Sequence, residues 1–284
     1  MYALVAYGLW GFFPLFFKKV TDLPELEVLA HRVIWACVFT AVVLTLMRSG
    51  HNSLPQLKRP IVWGALFLSA LLIATNWGVF IYAVGEGQIL ASSLGYFLTP
   101  LINVLLGTLV LGEKQDKWRV AALVLAGIGV TWQIIALGEL PWISLVLACT
   151  FGVYGLVRKK APVDTLTGLL IETLVLSPIA LGYWFWLLDN DQDSFLNSSF
   201  DAGRLIAMGI LTSLPLLAFA AAAQRLSLTV VGFLTYLAPT GHFLLAVFVY
   251  DEPFGLHQLV SFGFIWAALV VFSGGALSVR KRTA

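Results

Sequence analysis

The chain has 284 residues, of which 60% are hydrophobic and only 11% charged, and its formal net charge is +2. Ordinary soluble domains carry roughly 25% charged residues, and a mean hydropathy of +0.91 is more than a soluble core absorbs without leaving adhesive surface patches. A soluble enzyme, a nucleic-acid-binding domain and a disordered chain are therefore excluded, which leaves a polytopic membrane protein.

A membrane helix needs about 20 apolar residues to cross about 30 Å of hydrocarbon. In chain order, the qualifying stretches are 2–17, 28–47, 61–84, 89–111, 118–137, 141–157, 166–188, 204–223, 228–250 and 256–277. The opening MYALVAYGLWG has no basic leader and no cleavage site, so it reads as a retained first span. Cys37 and Cys149 lie inside apolar runs with no CxxC pair, and they read as packing residues with no zinc site. Alternation at period two is absent, which excludes a porin-type barrel. The expected fold is an all-α bundle of ten membrane spans.

Lysine and arginine placement sets the orientation. With the N-terminus in the cytoplasm, 13 basic residues fall inside and 3 outside (Lys18, Lys19 and Arg204), so both termini are expected to be cytoplasmic. The longest outer loop, 189–203, carries Asp189, Asp191 and Asp193 in the spacing of an EF-hand. Ser194 and Phe200 replace the glycine and glutamate such a loop requires, so it reads as a solvated acidic loop.

The chain also repeats itself. At an offset of 139, Pro100 falls on Pro239 and Glu113 on Glu252; at 141, Trp10-Gly11 through Lys18-Lys19 faces Phe151-Gly152 through Lys159-Lys160. Two five-span units follow, 1–139 and 140–284. Because five is odd, the second enters the membrane upside down, the architecture of carriers with a binding site near the midplane.

Ionisable groups inside spans are costly and mark cavities or partners. His31 and Arg32 lie near one end of span 2, and Glu172 lies about two turns into span 7, on the position matching His31. These three are candidate gating or coupling residues. Arg32 reads first as a snorkelling anchor, with a cavity role as the alternative, and Glu172 as a helix-pairing hydrogen bond or as a residue that lines the pathway or binds a proton. Pro100 and Pro239 are expected to kink spans 4 and 9 at matched positions. Asn76, Asn103 and His242 are polar candidates for the binding site, with interhelical pairing as the plain alternative. Trp10, Trp77, Tyr96, Tyr154 and Tyr236 are candidate walls of a pocket for a flat or amphipathic solute.

At these segments the chain resembles the RarD branch of the EamA-type drug/metabolite transporter superfamily. The resemblance rests on Leu9-Trp10-Gly11, Leu29-Ala30-His31-Arg32, Asn76-Trp77, Ser93-Leu94-Gly95-Tyr96-Phe97 with Pro100, Tyr154-Gly155 through Lys160, Ile171-Glu172-Thr173, Leu214-Pro215-Leu216, and Tyr236 with Ala238-Pro239-Thr240. It implies ten helices in two inverted repeats, a bacterial inner-membrane location, and movement, usually export, of a small organic solute such as an amino acid, a metabolite or chloramphenicol. The chain departs from the branch at Ala91, Thr235 and Gly241-His242, all beside the two proline segments.

The expected function is therefore a secondary carrier working by alternating access, with a small-molecule solute and the lipid bilayer as partners and no nucleic acid. No GxxxxGK[ST] is present and no cofactor or metal is expected, so the drive comes from gradients or a separate subunit; proton coupling through Glu172 is the expectation for a gradient. No HExxH, GxSxG or paired intramembrane aspartates point to an enzyme. A channel or a non-transporting scaffold is the alternative. The residues do not name the substrate or the oligomeric state.

Overall fold

The computed structural model describes residues 2–47, 56–112, 117–138, 140–223 and 235–283. The helices are α1 (Tyr2–Gly11), α2 (Phe13–Phe17), α3 (Glu25–Leu46), α4 (Pro60–Gly85), α5 (Ile89–Leu111), α6 (Lys117–Leu137), α7 (Trp142–Lys160), α8 (Thr165–Asp189), α9 (Ser199–Ala223), α10 (Leu237–Phe248) and α11 (Leu256–Thr283). No strand occurs among the described residues. Seven of the helices are long and apolar enough to cross a membrane, and α10 is a shorter apolar one. The chain is all-helical and multi-pass.

Local chemistry sets the helix ends. Glu25 and Glu27 occupy the first turn of α3, where carboxylates suit the positive end of the helix dipole. Pro60 opens α4, where its missing N–H is no loss. Asp164 caps α8 by accepting the Thr167 N–H at 3.0 Å. Gly112 closes α5 in the left-handed region, with φ 65°.

Two expected spans, the first and the ninth, differ in form. The first is broken at Phe12, because Pro14 sits at the start of α2 and has no N–H for the Trp10 carbonyl one turn back. Pro100 lies within α5. Pro239 is the third residue of α10, where proline deletes no helical hydrogen bond, so the described helix starts there and shows no mid-helix kink. The rest of the ninth expected span, 228–234, and Glu113 lie outside the described residues.

The outer surface is apolar. Ile61, Leu109, Ile135, Ile179, Phe248 and Val270 are all exposed, an arrangement suited to hydrocarbon. Many hydroxyls within the helices turn back onto carbonyls of the preceding turn, as Thr40 does on Ala36 (2.7 Å) and Thr173 on Leu169 (2.8 Å), and these need no water. The main helix contacts are α6 with α11, α5 with α7 and α10, α3 with α8 and α9, α4 with α7 and α8, and α1 with α9 and α10. At the α1–α10 crossing a Cβ on Gly241 would lie 2.8 Å from the Gly11 Cα and carbonyl oxygen. The departure at Gly241 is thus a steric necessity here. Thr235, another departure, donates to the Tyr7 hydroxyl at 3.0 Å.

One end of the bundle is tied across the chain. The Glu252 carboxylate accepts the N–H groups of Ile89 and Leu90, each at 2.7 Å, capping α5 from the loop after α10. Burial raises the Glu252 carboxyl above its ordinary range, and the two N–H donors draw it back. Glu252→Ala should cost about 2–3 kcal/mol by stranding two buried donors. Glu252→Gln, which keeps one acceptor oxygen, should cost less. Melting curves of the two variants in detergent check this order, and equal curves would contradict it.

At the same end, Arg204 donates to both oxygens of Asp22 (2.7 and 2.8 Å) and to the Lys19 carbonyl (2.6 Å), and it also pairs with Asp201. The hydrogen bond from Arg204 holds the Asp22 carboxyl below the usual carboxylate range. A folded-state pKa below the unfolded value of about 3.9 gives stability that is present above that value and lost as pH falls through the folded one. Asp22 is largely exposed, so the contribution is at most about 1 kcal/mol. Wild-type melting temperature should therefore fall more steeply than that of Asp22→Asn below about pH 4; parallel profiles would contradict the pairing.

Candidate functional site

The break at Pro14 begins the site. The Trp10 carbonyl it frees lies 2.9 Å from His242 Nε2. A carbonyl only accepts, so that nitrogen carries the proton and Nδ1 faces Ser92 Oγ at 3.5 Å. The His242 ring sits edge-on to Tyr96 (5.6 Å between centroids) and beside Phe80 (5.4 Å). Ser93 Oγ donates to the Pro239 carbonyl at 2.8 Å, so both proline segments meet at this point.

From there a polar and aromatic chain crosses the bundle. Tyr96 donates to Asn76 Oδ1 at 3.0 Å. The Asn76 amide donates to Thr150 Oγ1 (3.0 Å) and the Leu147 carbonyl (3.1 Å) on α7. Tyr96 also meets Phe151, which stacks on Tyr154. Tyr154 donates to Glu172 Oε2 at 3.2 Å, Ser69 donates to Oε1 at 2.6 Å, and Arg158 Nε lies 3.5 Å from Oε1. Glu172 is fully buried. Glu172 thus joins α4, α7 and α8, the helix-pairing alternative at this residue.

Arg32 does not snorkel. It is 3% exposed, and its guanidinium lies 4.2 Å from the Trp77 ring centroid and 4.9 Å from that of Phe17. His31, its neighbour in sequence, faces a different cluster. Its ring stacks on Phe195 at 4.7 Å, with Trp184 edge-on at 5.2 Å. Glu27 accepts the Ser194 N–H (2.7 Å) and hydroxyl (2.8 Å). Asp193 accepts from Trp184 Nε1 (2.7 Å) and from the Leu196 N–H (2.6 Å). The loop after α8 is therefore not simply a solvated acidic one: Asp189 and Asp191 are exposed, but Asp193 is buried against α3. Ligand atoms of Glu27, His31 and Asp193 lie within 4.8 Å of one another, a spacing that suits a shared cation.

The structure thus brings Trp10, His242, Tyr96, Asn76, Tyr154 and Glu172 into one chain, with Arg32 and Trp77 alongside. Asn103 stands apart, exposed and beside Gly152. Tyr236 pairs with Ser273 of α11, away from the chain. Ser69, Thr150, Ser92, Phe80 and the inward turn of Arg158 escaped the sequence reading, which quoted Ser93 and Phe151 only within matched segments. Two signals were available: Glu27 and His31 are four residues apart on one helix face, and Gly168 leaves the gap that the Arg158 guanidinium fills. The residues around Arg32 and His242 are packed closed in this conformation. A groove of about 390 Å³ at the tied end is lined by Leu15, Phe16, Lys18, Lys19 and Tyr250, outside that cluster.

Comparison with known proteins decides the family. The model of the EamA-like transporter family matches residues 1–135 and again 140–274. The chain belongs to the EamA-like transporter family. Within it, the chain falls in the RarD branch. It is 43% identical over 282 residues to "Protein RarD" of Escherichia coli, covering 99% of this chain and 95% of that one. It is 43% identical over 272 residues to an "Uncharacterized transporter" of Vibrio cholerae, covering 95% and 90%. A Pseudomonas aeruginosa relative named "Chloramphenicol-sensitive protein RarD" is 32% identical over 294 residues, covering 99% and 95%. A solved structure titled "Crystal structure of protein" shares the fold, with a TM-score of 0.61 at 18% identity over 95% of each chain. The chain is a membrane transporter of this family.

Proposed function

We propose that the chain is a secondary carrier of a small organic solute in the bacterial inner membrane, with both termini cytoplasmic. In this reading, residues 1–139 and 140–284 form two inverted five-helix repeats, ten spans in all, which rock about a site at their interface to export the solute. The observation that carries it is the symmetry of the helix contacts. Exchange α1/α2 with α7, α3 with α8, α4 with α9, α5 with α10 and α6 with α11. The contacts α3–α8, α5–α10 and α6–α11 then map onto themselves. Likewise α1–α9 becomes α7–α4, α1–α10 becomes α7–α5, and α3–α9 becomes α8–α4, every one of which is made.

The tied end supports inversion. It gathers the segments after the first and third helical units of one half with those after the second and fourth of the other, joined by Arg204–Asp22, Glu27–Ser194 and Glu252–Ile89. Copies standing the same way up would not share an end in that pattern. The double match of the family model supports the same division.

The binding residues in this reading are Trp10, Asn76, Trp77, Tyr96, Tyr154 and His242, with Asn103 and Tyr236 joining only in another conformation. Arg32, His31, Glu172, Pro100 and Pro239 serve closure or coupling. Glu172, facing Arg158 and Tyr154, takes up and releases the coupling proton, so Glu172→Gln should abolish pH-dependent uptake. Proteoliposome counterflow tests the carrier itself. Saturable exchange accelerated by solute on the far side is expected; flux that neither saturates nor responds to trans solute would indicate a pore.

A further inference from the structure

We infer that Arg32 holds the carboxylate of the transported solute, so that the cargo is a small organic anion or zwitterion and not a neutral compound; this rests on the carrier reading above and narrows its substrate class. Arg32 stands about two turns into α3, and its side chain is buried. Among the described residues, its Nε and Nη1 atoms are buried without a hydrogen-bond partner. Trp77 and Phe17 lie over the guanidinium. Ring contacts of this kind use the cation's charge but leave its N–H donors unpaired.

Among the described residues, the buried acids are all engaged elsewhere. Glu172 is paired with Arg158, Ser69 and Tyr154. Glu27 is held by Ser194, and Asp193 by Trp184 and Leu196. Glu252 caps α5. A buried guanidinium with no counter-charge is among the most unfavourable arrangements a membrane interior offers, and it becomes favourable once an anion arrives. The planar donors of arginine match a carboxylate, which takes two parallel hydrogen bonds. Trp77 is on the same helix as Asn76, which is bonded to Tyr96, so amide, phenol and ring surfaces are at hand for the rest of a small acid.

The test compares wild type, Arg32→Lys and Arg32→Met, each as purified full-length protein. The probes are the common amino acids and small mono- and dicarboxylates, each beside its own amide, together with chloramphenicol. At least one carboxylate should raise the wild-type melting temperature while its amide does not. Arg32→Met should need at least tenfold more of that carboxylate for the same shift, and Arg32→Lys should fall between. Without solute, Arg32→Met should melt no lower than wild type, since it discards an uncompensated charge; a purely structural arginine would not behave so.

Stabilisation by neutral compounds alone, or carboxylate shifts equal in wild type and Arg32→Met, would overturn the inference. Counterflow separates the two readings. Exchange of chloramphenicol or an amide that is insensitive to Arg32→Met leaves the carrier standing with a different cargo, whereas no exchange of any solute removes carrier and inference together.

Discussion

Glu172→Ala should lower stability by about 3–5 kcal/mol, the range found when one partner of a buried ion pair is removed. The fully buried carboxylate takes hydrogen bonds from Ser69 and Tyr154 and pairs with Arg158, whose side chain is only 12% exposed. Deleting it takes from the Tyr154 hydroxyl its acceptor and from the Arg158 guanidinium its counter-charge, leaving the guanidinium the Asp164 carbonyl alone. Against a total stability of about 5–15 kcal/mol, the loss should appear as a large drop in melting temperature in detergent and a reduced membrane yield. Replacing both charges, Glu172→Met with Arg158→Met, should recover much of the loss, because the desolvation of two ions disappears with them. In a double-mutant cycle the two single losses should therefore not add. Additive losses, or a wild-type melting temperature for Glu172→Ala, would show that the pair does not hold α7 to α8.

Gly209→Ala is the second large effect. A Cβ at that position would lie 2.8 Å from the Ala36 nitrogen and closer still to the Trp35 Cβ. Those are backbone and backbone-adjacent atoms of α3, which cannot swing aside as a flexible side-chain tip would. The two helices must separate, at about 1–3 kcal/mol for overpacking of this kind, and Gly209→Val should cost more. The crossing lies one turn beyond His31 and Arg32, so a displaced α3 also moves both. Melting temperature and carboxylate-induced stabilisation should fall together in Gly209→Ala. A variant that melted low yet retained full solute-induced stabilisation would show that the α3–α9 crossing does not position Arg32.

Hydropathy made the membrane class and most spans legible, because crossing hydrocarbon imposes a length and a composition on each helix. Self-similarity around Pro100 and Pro239 underlies the proposed division into two halves, and the EamA-like family model matches the chain twice, over 1–135 and 140–274. Pairings were harder to read. Arg158 looked like part of a cytoplasmic basic run with Lys159 and Lys160. Only the fold turns it onto Glu172, in the space left by Gly168 on α8. Asp193 looked solvated because a loop's spacing does not say which of its acids folds back, and here Trp184 and Leu196 supply the donors that bury it. Snorkelling was a sound alternative for Arg32 on sequence grounds. The aromatic rings of Phe17 and Trp77, contributed by separate helices, settle its position inside the bundle.

Trp10 and His242 show how a local event becomes a site. Pro14 removes one helical hydrogen bond, the freed carbonyl of Trp10 finds His242, and α1 is pinned to α10. The links at the tied end do the same at larger scale: Glu252 caps α5 and Arg204 clasps Asp22. In the carrier reading, these are the contacts that must break when the solute passes that face. Loosening them should shift the balance between the two closures without touching the binding residues.

Access to the buried site from the two faces tests the central claim most directly. In a background lacking Cys37 and Cys149, Tyr96→Cys would be exposed to membrane-impermeant thiol reagents in right-side-out and inside-out vesicles. Alternating access predicts modification from both faces, with rates that move in opposite directions when Glu252→Ala loosens the tied end. Modification from one face alone, or from both faces at rates indifferent to that change, would contradict it.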